Sequence, residues 1–170
     1  MRKFWVPTLG LVAAVVLSIS GALAADKASQ KFMTEVMQGN LAEIAVGKLA
    51  QQKGQSEGVR SFGSMLVSDH SAANEKAMSV AQGLGVSPPN EPSKKQKAVY
   101  DRLSKLSGES FDHEFAKAMV EDHKNDIREF EKEAKKKNDP AAEFANETLP
   151  TLRKHLEMAQ SLASGKSASR

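Results

Sequence analysis

The chain predicts an all-α fold: a four-helix bundle with a long crossover connection that carries a short extra helix. Three observations carry this expectation. From Lys27 onward, apolar residues recur at three- and four-residue spacing, the period of a helix with one buried face. No stretch alternates polar and apolar residues as a half-buried strand does. Glycine and proline punctuation cuts the pattern into four long segments and one short one. The second and third long segments are separated by about 27 residues, whereas a simple up-down-up-down bundle needs only a short loop there.

Ahead of the helical pattern stands a segment with the three parts of a secretory signal. Arg2 and Lys3 supply the positive start, Val6 to Ile19 an apolar stretch, and Ala22-Leu23-Ala24 a small-x-small cleavage site. The expected cut follows Ala24, so residues 1–24 are a signal peptide and the mature chain begins at Ala25-Asp26. The apolar stretch is short for an anchor, since spanning a bilayer takes about 20 residues. No cysteine follows the site, which excludes lipid attachment there. The expected destination is the periplasm or the cell exterior, with no membrane insertion after cleavage.

The first helix is expected from about Lys27 to Lys53, with Phe32, Val36, Val46 and Leu49 on one face. Gly54 and Gly58 bracket a turn, and the second helix runs to about Gly83 through Phe62, Leu66, Ala73, Ala77 and Val80. Pro88, Pro89 and Pro92 then forbid helix, and Ser93 to Leu106 reads as a short amphipathic helix ending at Gly108. Ser110 is the expected N-cap of the third long helix, with Asp112 and Glu114 near its positive end. That helix buries Phe111, Phe115, Met119, Ile127 and Phe130 and ends in Lys135-Lys136-Lys137, read as a solvated run that suits the negative end of a helix dipole. Asp139-Pro140 starts the last helix by the cap-then-proline rule. It continues to about Ser164, with a kink or restart expected at Pro150, which cannot donate to the carbonyl of Asn146. The bundle domain is expected over residues 25–165, with a flexible tail over 166–170.

Composition narrows the function classes. The 170 residues contain 24 basic and 21 acidic side chains. Losing Arg2 and Lys3 with the signal leaves a net charge of about +1, too little positive field to make nucleic acid a partner. The chain has no cysteine, which rules out disulfides, thiolate metal sites and thiol catalysis. No helix face is both strongly basic and apolar, as a membrane-surface helix would be. No serine sits in a Gly-x-Ser-x-Gly elbow, and no nucleophile stands beside the Asp-His pairs, so no catalytic residue is assigned.

The second and third long helices share a phrase. Phe62-x-x-x-Leu66-Val67-Ser68-Asp69-His70 echoes Phe115-x-x-x-Met119-Val120-Glu121-Asp122-His123. The Phe, the Leu or Met and the His step by four residues and so share one face, while each Asp sits one position earlier at the core's edge. His70, His123, Glu43 and His155 all fall near the middle of their helices and meet at one level whichever way each helix runs. The expectation is a polar layer of Glu43, Asp69, His70, Asp122, His123 and His155 across an apolar core. His113, near a helix start, is expected to be exposed.

Such a layer must be satisfied, because unpaired buried polar groups cost a few kcal/mol each. Two arrangements do this. The carboxylates can hydrogen-bond the imidazoles in a dry network that fixes register. Alternatively, imidazole nitrogens and carboxylate oxygens can converge on a divalent transition metal (zinc, copper, nickel or iron), the remaining carboxylates orienting the histidines. The first arrangement makes the protein a structural or partner-binding module, with a protein partner not identifiable from sequence. The second makes it a metal-binding protein with Glu43, Asp69, His70, Asp122, His123 and His155 as candidate ligands. The network reading comes first, because spacing alone does not show convergence.

Four phrases carry a family resemblance: Met65-Leu66-Val67-Ser68-Asp69-His70; Leu106-Ser107-Gly108 leading to Phe111-Asp112; Met119-Val120-Glu121-Asp122-His123; and Leu149-Pro150-Thr151-Leu152-Arg153-Lys154-His155-Leu156. In that order they resemble family 4142 of the domains of unknown function, a bacterial group of secreted proteins placed among the ferritin-like bundles. The resemblance implies a ferritin-like fold and export, and no established reaction. Ferritin-like di-iron enzymes carry Glu-x-x-His motifs, and no Glu-x-x-His or Asp-x-x-His occurs in this chain. Here Asp and His are adjacent, about 100 degrees apart around the helix, so both do not point at one central ion. Di-iron oxidase or ferroxidase chemistry is therefore not expected.

Overall fold

The computed structural model describes residues 26–165; the expected signal peptide and the expected tail over 166–170 lie outside the described residues. Five helices appear: α1 (Lys27–Lys53), α2 (Glu57–Gly83), α3 (Lys94–Ser104), α4 (Gly108–Glu133) and α5 (Pro140–Ala163). Among the described residues there is no strand, and no helix is long and apolar enough to cross a membrane.

Local chemistry explains most of the boundaries. Asp26, Ser56 and Asp139 each cap a helix by accepting from a backbone N–H of its first turn. Ser93 and Gln96 form a reciprocal capping box at the start of α3. The expectation for α4 is corrected. Its first residue is Gly108 and its flanking residue Ser107, which makes no side-chain cap bond; Ser110 lies inside the first turn. The cause is the sharp reversal out of α3, where Gly108 takes a φ of 62° that glycine tolerates at little cost. Asp112 also acts across the fold: its two carboxylate oxygens accept from Gln55 N and Ser56 N, both at 2.8 Å, and so hold the α1–α2 turn. The last helix runs through Pro150 without a restart.

The contacts at the two ends define the topology. The start of α1 lies beside the end of α4, where the Phe32 and Phe130 rings meet edge to face at 5.0 Å. There too Ser29 Oγ donates to Glu133 Oε1 at 2.7 Å, with Asp139 at the start of α5 also in contact. The connector leaves α2 at this end, with Gln30 Nε2 donating to Leu84 O at 2.9 Å. It arrives at the other, where Lys53 Nζ donates to Ser104 O and Leu106 O. It therefore travels the length of α1, about 40 Å at 1.5 Å per residue, with α3 packed along α1 and α4. The helices pack mainly as two antiparallel pairs, α1 with α2 and α4 with α5, joined by α2 on α5 and α1 on α4.

The core is two apolar clusters, one in each half of the molecule. One holds Phe32, Met37, Ala81, Phe130, Phe144 and Leu152. The other holds Val46, Phe62, Leu66, Phe115, Met119 and Ala159. Between them, in every long helix, stands a buried polar side chain: Asn40 and Glu43 in α1, His70 in α2, His123 in α4 and His155 in α5. The close pairing of α1 and α2 depends on Gly47 and Gly63. A Cβ on either would fall 2.8 or 2.7 Å from the other's carbonyl oxygen.

Lys136 departs from the solvated run expected of it. Its ammonium lies 3.0 Å from Asp26 and 3.0 Å from Glu133, and donates to Ser29 at 2.8 Å. It thereby supplies the positive charge that the buried Glu133 carboxylate requires.

Candidate metal centre

Each histidine of the mid-molecule layer is held by one of its two ring nitrogens. His123 Nδ1 donates to the Met119 carbonyl at 3.0 Å, one helical turn back. His155 Nε2 donates to Asp69 Oδ2 at 2.9 Å. His70 Nδ1 donates to Asn40 Oδ1 at 2.9 Å. All three acceptors are oxygens that cannot donate, so in each neutral ring the proton sits on the bonded nitrogen. The opposite nitrogen carries a bare lone pair.

The three rings come together. One ring nitrogen from each of His70, His123 and His155 lies within 4.8 Å of the other two. His123 Nε2 and His155 Nδ1 are 3.3 Å apart, and His70 Nε2 is buried with no hydrogen-bond partner. Two bare lone pairs at 3.3 Å repel unless a cation lies between them. A proton fits poorly. Burial and the neighbouring imidazole push His123 down to about 4. Burial also depresses His70, reinforced by the other two histidines. In His155, burial outweighs the attraction of Asp69 and gives a lowered value. A metal ion fits better, since two nitrogens at about 2.0–2.1 Å from a tetrahedral zinc lie about 3.3 Å from each other.

The surroundings are those of a ligand set held in place. A carboxylate, a backbone carbonyl and a side-chain amide each orient one imidazole, the usual outer partners of metal-bound histidine. Phe62 covers the apolar side, its ring centroid 6.4 Å from that of His123 and 6.0 Å from that of His155. His123 and His155 are fully buried and His70 nearly so. This geometry is able to bind a divalent transition metal.

The three carboxylates expected in the layer do not join the three nitrogens. Asp69 is half-exposed and engages the far nitrogen of His155, as a partner that orients the ring. Glu43 is buried on α1 and lies against Asp122 and near Asp126. Glu43 and Asp122 together border a smaller cleft of about 180 Å³ facing α3. Burial, then the charges of these neighbours, raise Glu43 well above the usual carboxylate range. The same causes, with Asp122 and Glu129 as neighbours, push Asp126 up to about 8. At neutral pH Asp126 therefore holds its proton, and Glu43 is shifted in the same direction. His113 is exposed, as expected of it.

Sequence reasoning missed Asn40 and Asp126. Asn40 had a readable signal, a polar residue in the stripe Phe32, Val36, Asn40, Glu43 and Gly47 on the buried face of α1. Asp126 stands one turn after Asp122 and was legible only as another exposed acid. The Met119 carbonyl, a backbone group, has no sequence signal at all.

The fold is similar to that in a crystal structure of a DUF305 fragment from Deinococcus radiodurans. The TM-score is 0.73 at 14% sequence identity, and the match covers 83% of this chain and 98% of that one. At that identity the likeness concerns the fold alone. No curated protein matches the chain in sequence. A family model described as a domain of unknown function, DUF4142, matches residues 15–162, and the chain belongs to that family.

Proposed function

We propose that this protein is an exported, ferritin-like bundle that binds one divalent transition metal through His70, His123 and His155. One observation carries the reading: three buried imidazoles, each hydrogen-bonded through one nitrogen to an oxygen acceptor, bring one ring nitrogen apiece within 4.8 Å of one another. A self-sufficient hydrogen-bonded network would pair those nitrogens with donors, whereas here His70 Nε2 is left unpartnered. Three imidazoles without thiolate suit zinc, copper(II), nickel or iron. Export rests on Arg2-Lys3, the apolar stretch and the Ala22-Leu23-Ala24 site; the periplasmic protein should then have the intact mass of a chain beginning at Ala25.

The test is isothermal titration of chelator-treated protein with zinc, copper(II), nickel and iron(II), with metal content checked by elemental analysis. The expected result is one ion per chain for at least one of them. His123→Gln and His70→Gln should weaken binding by tenfold or more. His113→Gln, at an exposed site, should leave it unchanged. If no ion binds stoichiometrically to the folded protein, the metal reading is wrong. The layer is then a register-fixing network in a structural or partner-binding module.

A further inference from the structure

The protein supplies the proposed metal with three nitrogens and, among the described residues, no fourth His, Cys, Asp or Glu within reach of all three. Two polar neighbours are committed to holding the rings. Asp69 bonds the far nitrogen of His155, and Asn40 bonds the far nitrogen of His70. Three protein ligands with a free position is the pattern of a reactive zinc site, whereas a structural site closes all four.

What borders that position decides what fills it. A cleft of about 500 Å³ has His70, His155, Asp69 and Asn40 on its wall, with Phe144 and Thr151 nearby. That volume is in the range of small-molecule sites and far above that of a single water. Lys31 and Lys132 face Glu35, Glu129, Asp69 and Asp126 around it. Asn40 adds a specific group. Its Oδ1 is committed to His70, while its Nδ2 is buried and has no partner. An unused N–H donor there is costly unless something accepts from it. Three neutral imidazoles leave a divalent ion its full charge, offset only by Asp69 in direct contact with the ligand set, so the centre is complementary to a monoanion.

Resting on the metal reading above, we infer that the metal's fourth position opens into this cleft and takes a small exogenous anion, which accepts a hydrogen bond from Asn40 Nδ2. The site is thus an exchangeable, ligand-accepting centre instead of a metal fixed for structure.

The experiment titrates sodium azide into the full chain loaded with cobalt(II) or copper(II) and follows the visible and near-ultraviolet spectrum. The expected result is a saturable change at one azide per metal. Asn40→Asp keeps an acceptor for His70 Nδ1 and removes the N–H donor. Asn40→Met removes the donor without adding charge. Both should weaken azide by tenfold or more. Metal content is measured for each variant, and azide affinity is taken per bound metal. Thr151→Phe narrows the cleft and should block azide while metal still binds; circular dichroism checks that each variant is folded. Failure of the parent chain to load metal overturns the metal reading itself. Loading without any azide response overturns the inference and leaves the metal reading standing. Azide binding that is equal in the parent chain and all three variants overturns the roles given to Asn40 and the cleft.

Discussion

At the scale of single residues, protonation is the property that matters. In the metal-free protein, two sets of groups titrate against each other. His123 sits at about 4 against an ordinary value of 6.5, so the unfolded chain takes up protons first as pH falls. The histidines therefore cost stability progressively between about pH 6.5 and 4. Asp126 sits at about 8 against 3.8, so the unfolded chain loses a proton that the folded chain keeps. It costs stability as pH rises from about 4 to 8. Below about 6.5 the two trends oppose each other, and above it only the carboxyls act. Urea midpoints of the chelated protein should consequently fall between pH 6.5 and 8. Asp126→Asn, which mimics the protonated acid, should flatten that slope; an unchanged slope would show that Asp126 is not the group responsible. For the metal-bound form, the depressed histidines imply binding that persists to about pH 5, where ordinary imidazoles already compete with protons.

At the scale of helices, the layer depends on how closely α1 and α2 approach. The Gly47 and Gly63 contacts are with backbone oxygens, which do not rotate away. Gly47→Ala or Gly63→Ala should therefore push the pair apart and cost about 1–3 kcal/mol, read from chemical denaturation. Gly83→Ala serves as the control. A Cβ there meets nothing within 4 Å, and its effect should be within about 0.5 kcal/mol of zero or slightly stabilising. The same spacing reaches the site, because Asn40 on α1 orients His70 on α2. A glycine variant that folds should thus also bind metal more weakly. Lys136 ties α1 to α4 at the other end. Lys136→Met should destabilise by more than a surface change does, since it strands Glu133, which is 5% exposed.

At the scale of the whole molecule, the proposed metal would act as a staple. Its ligands come from α2, α4 and α5, so an ion that binds only the folded chain joins the two helix pairs. At a free metal concentration about 100 times Kd the linkage is worth about 2.7 kcal/mol, or roughly 10 °C in Tm for a domain of this size. Thermal melts with and without the bound ion should show that rise, and His123→Gln should abolish it. A rise of equal size in His123→Gln would place the bound ion elsewhere.

How much of this was legible differs by level. Helix number, the capped start at Asp139 and the apolar stripes are local properties, set by 3.6-residue periodicity and cap chemistry within a few positions of each residue. The start of α4 was misplaced by three residues because the turn at Gly108 answers to the docking of α3, a contact outside the local window. The mid-helix level of His70, His123 and His155 could also be read, since residues at the middle of long helices meet whatever the helix directions. Which ring nitrogens face one another could not, because that depends on side-chain rotation and on acceptors remote in sequence: Asn40 for His70 and Asp69 for His155. By itself the sequence determined a helical fold with a polar layer at mid-height. Only the tertiary structure decided that the layer divides into a close set of three imidazoles and a group of carboxyl side chains around Glu43. The physical reason is that helical periodicity states which residues face inward, while long-range hydrogen bonds decide where their lone pairs point.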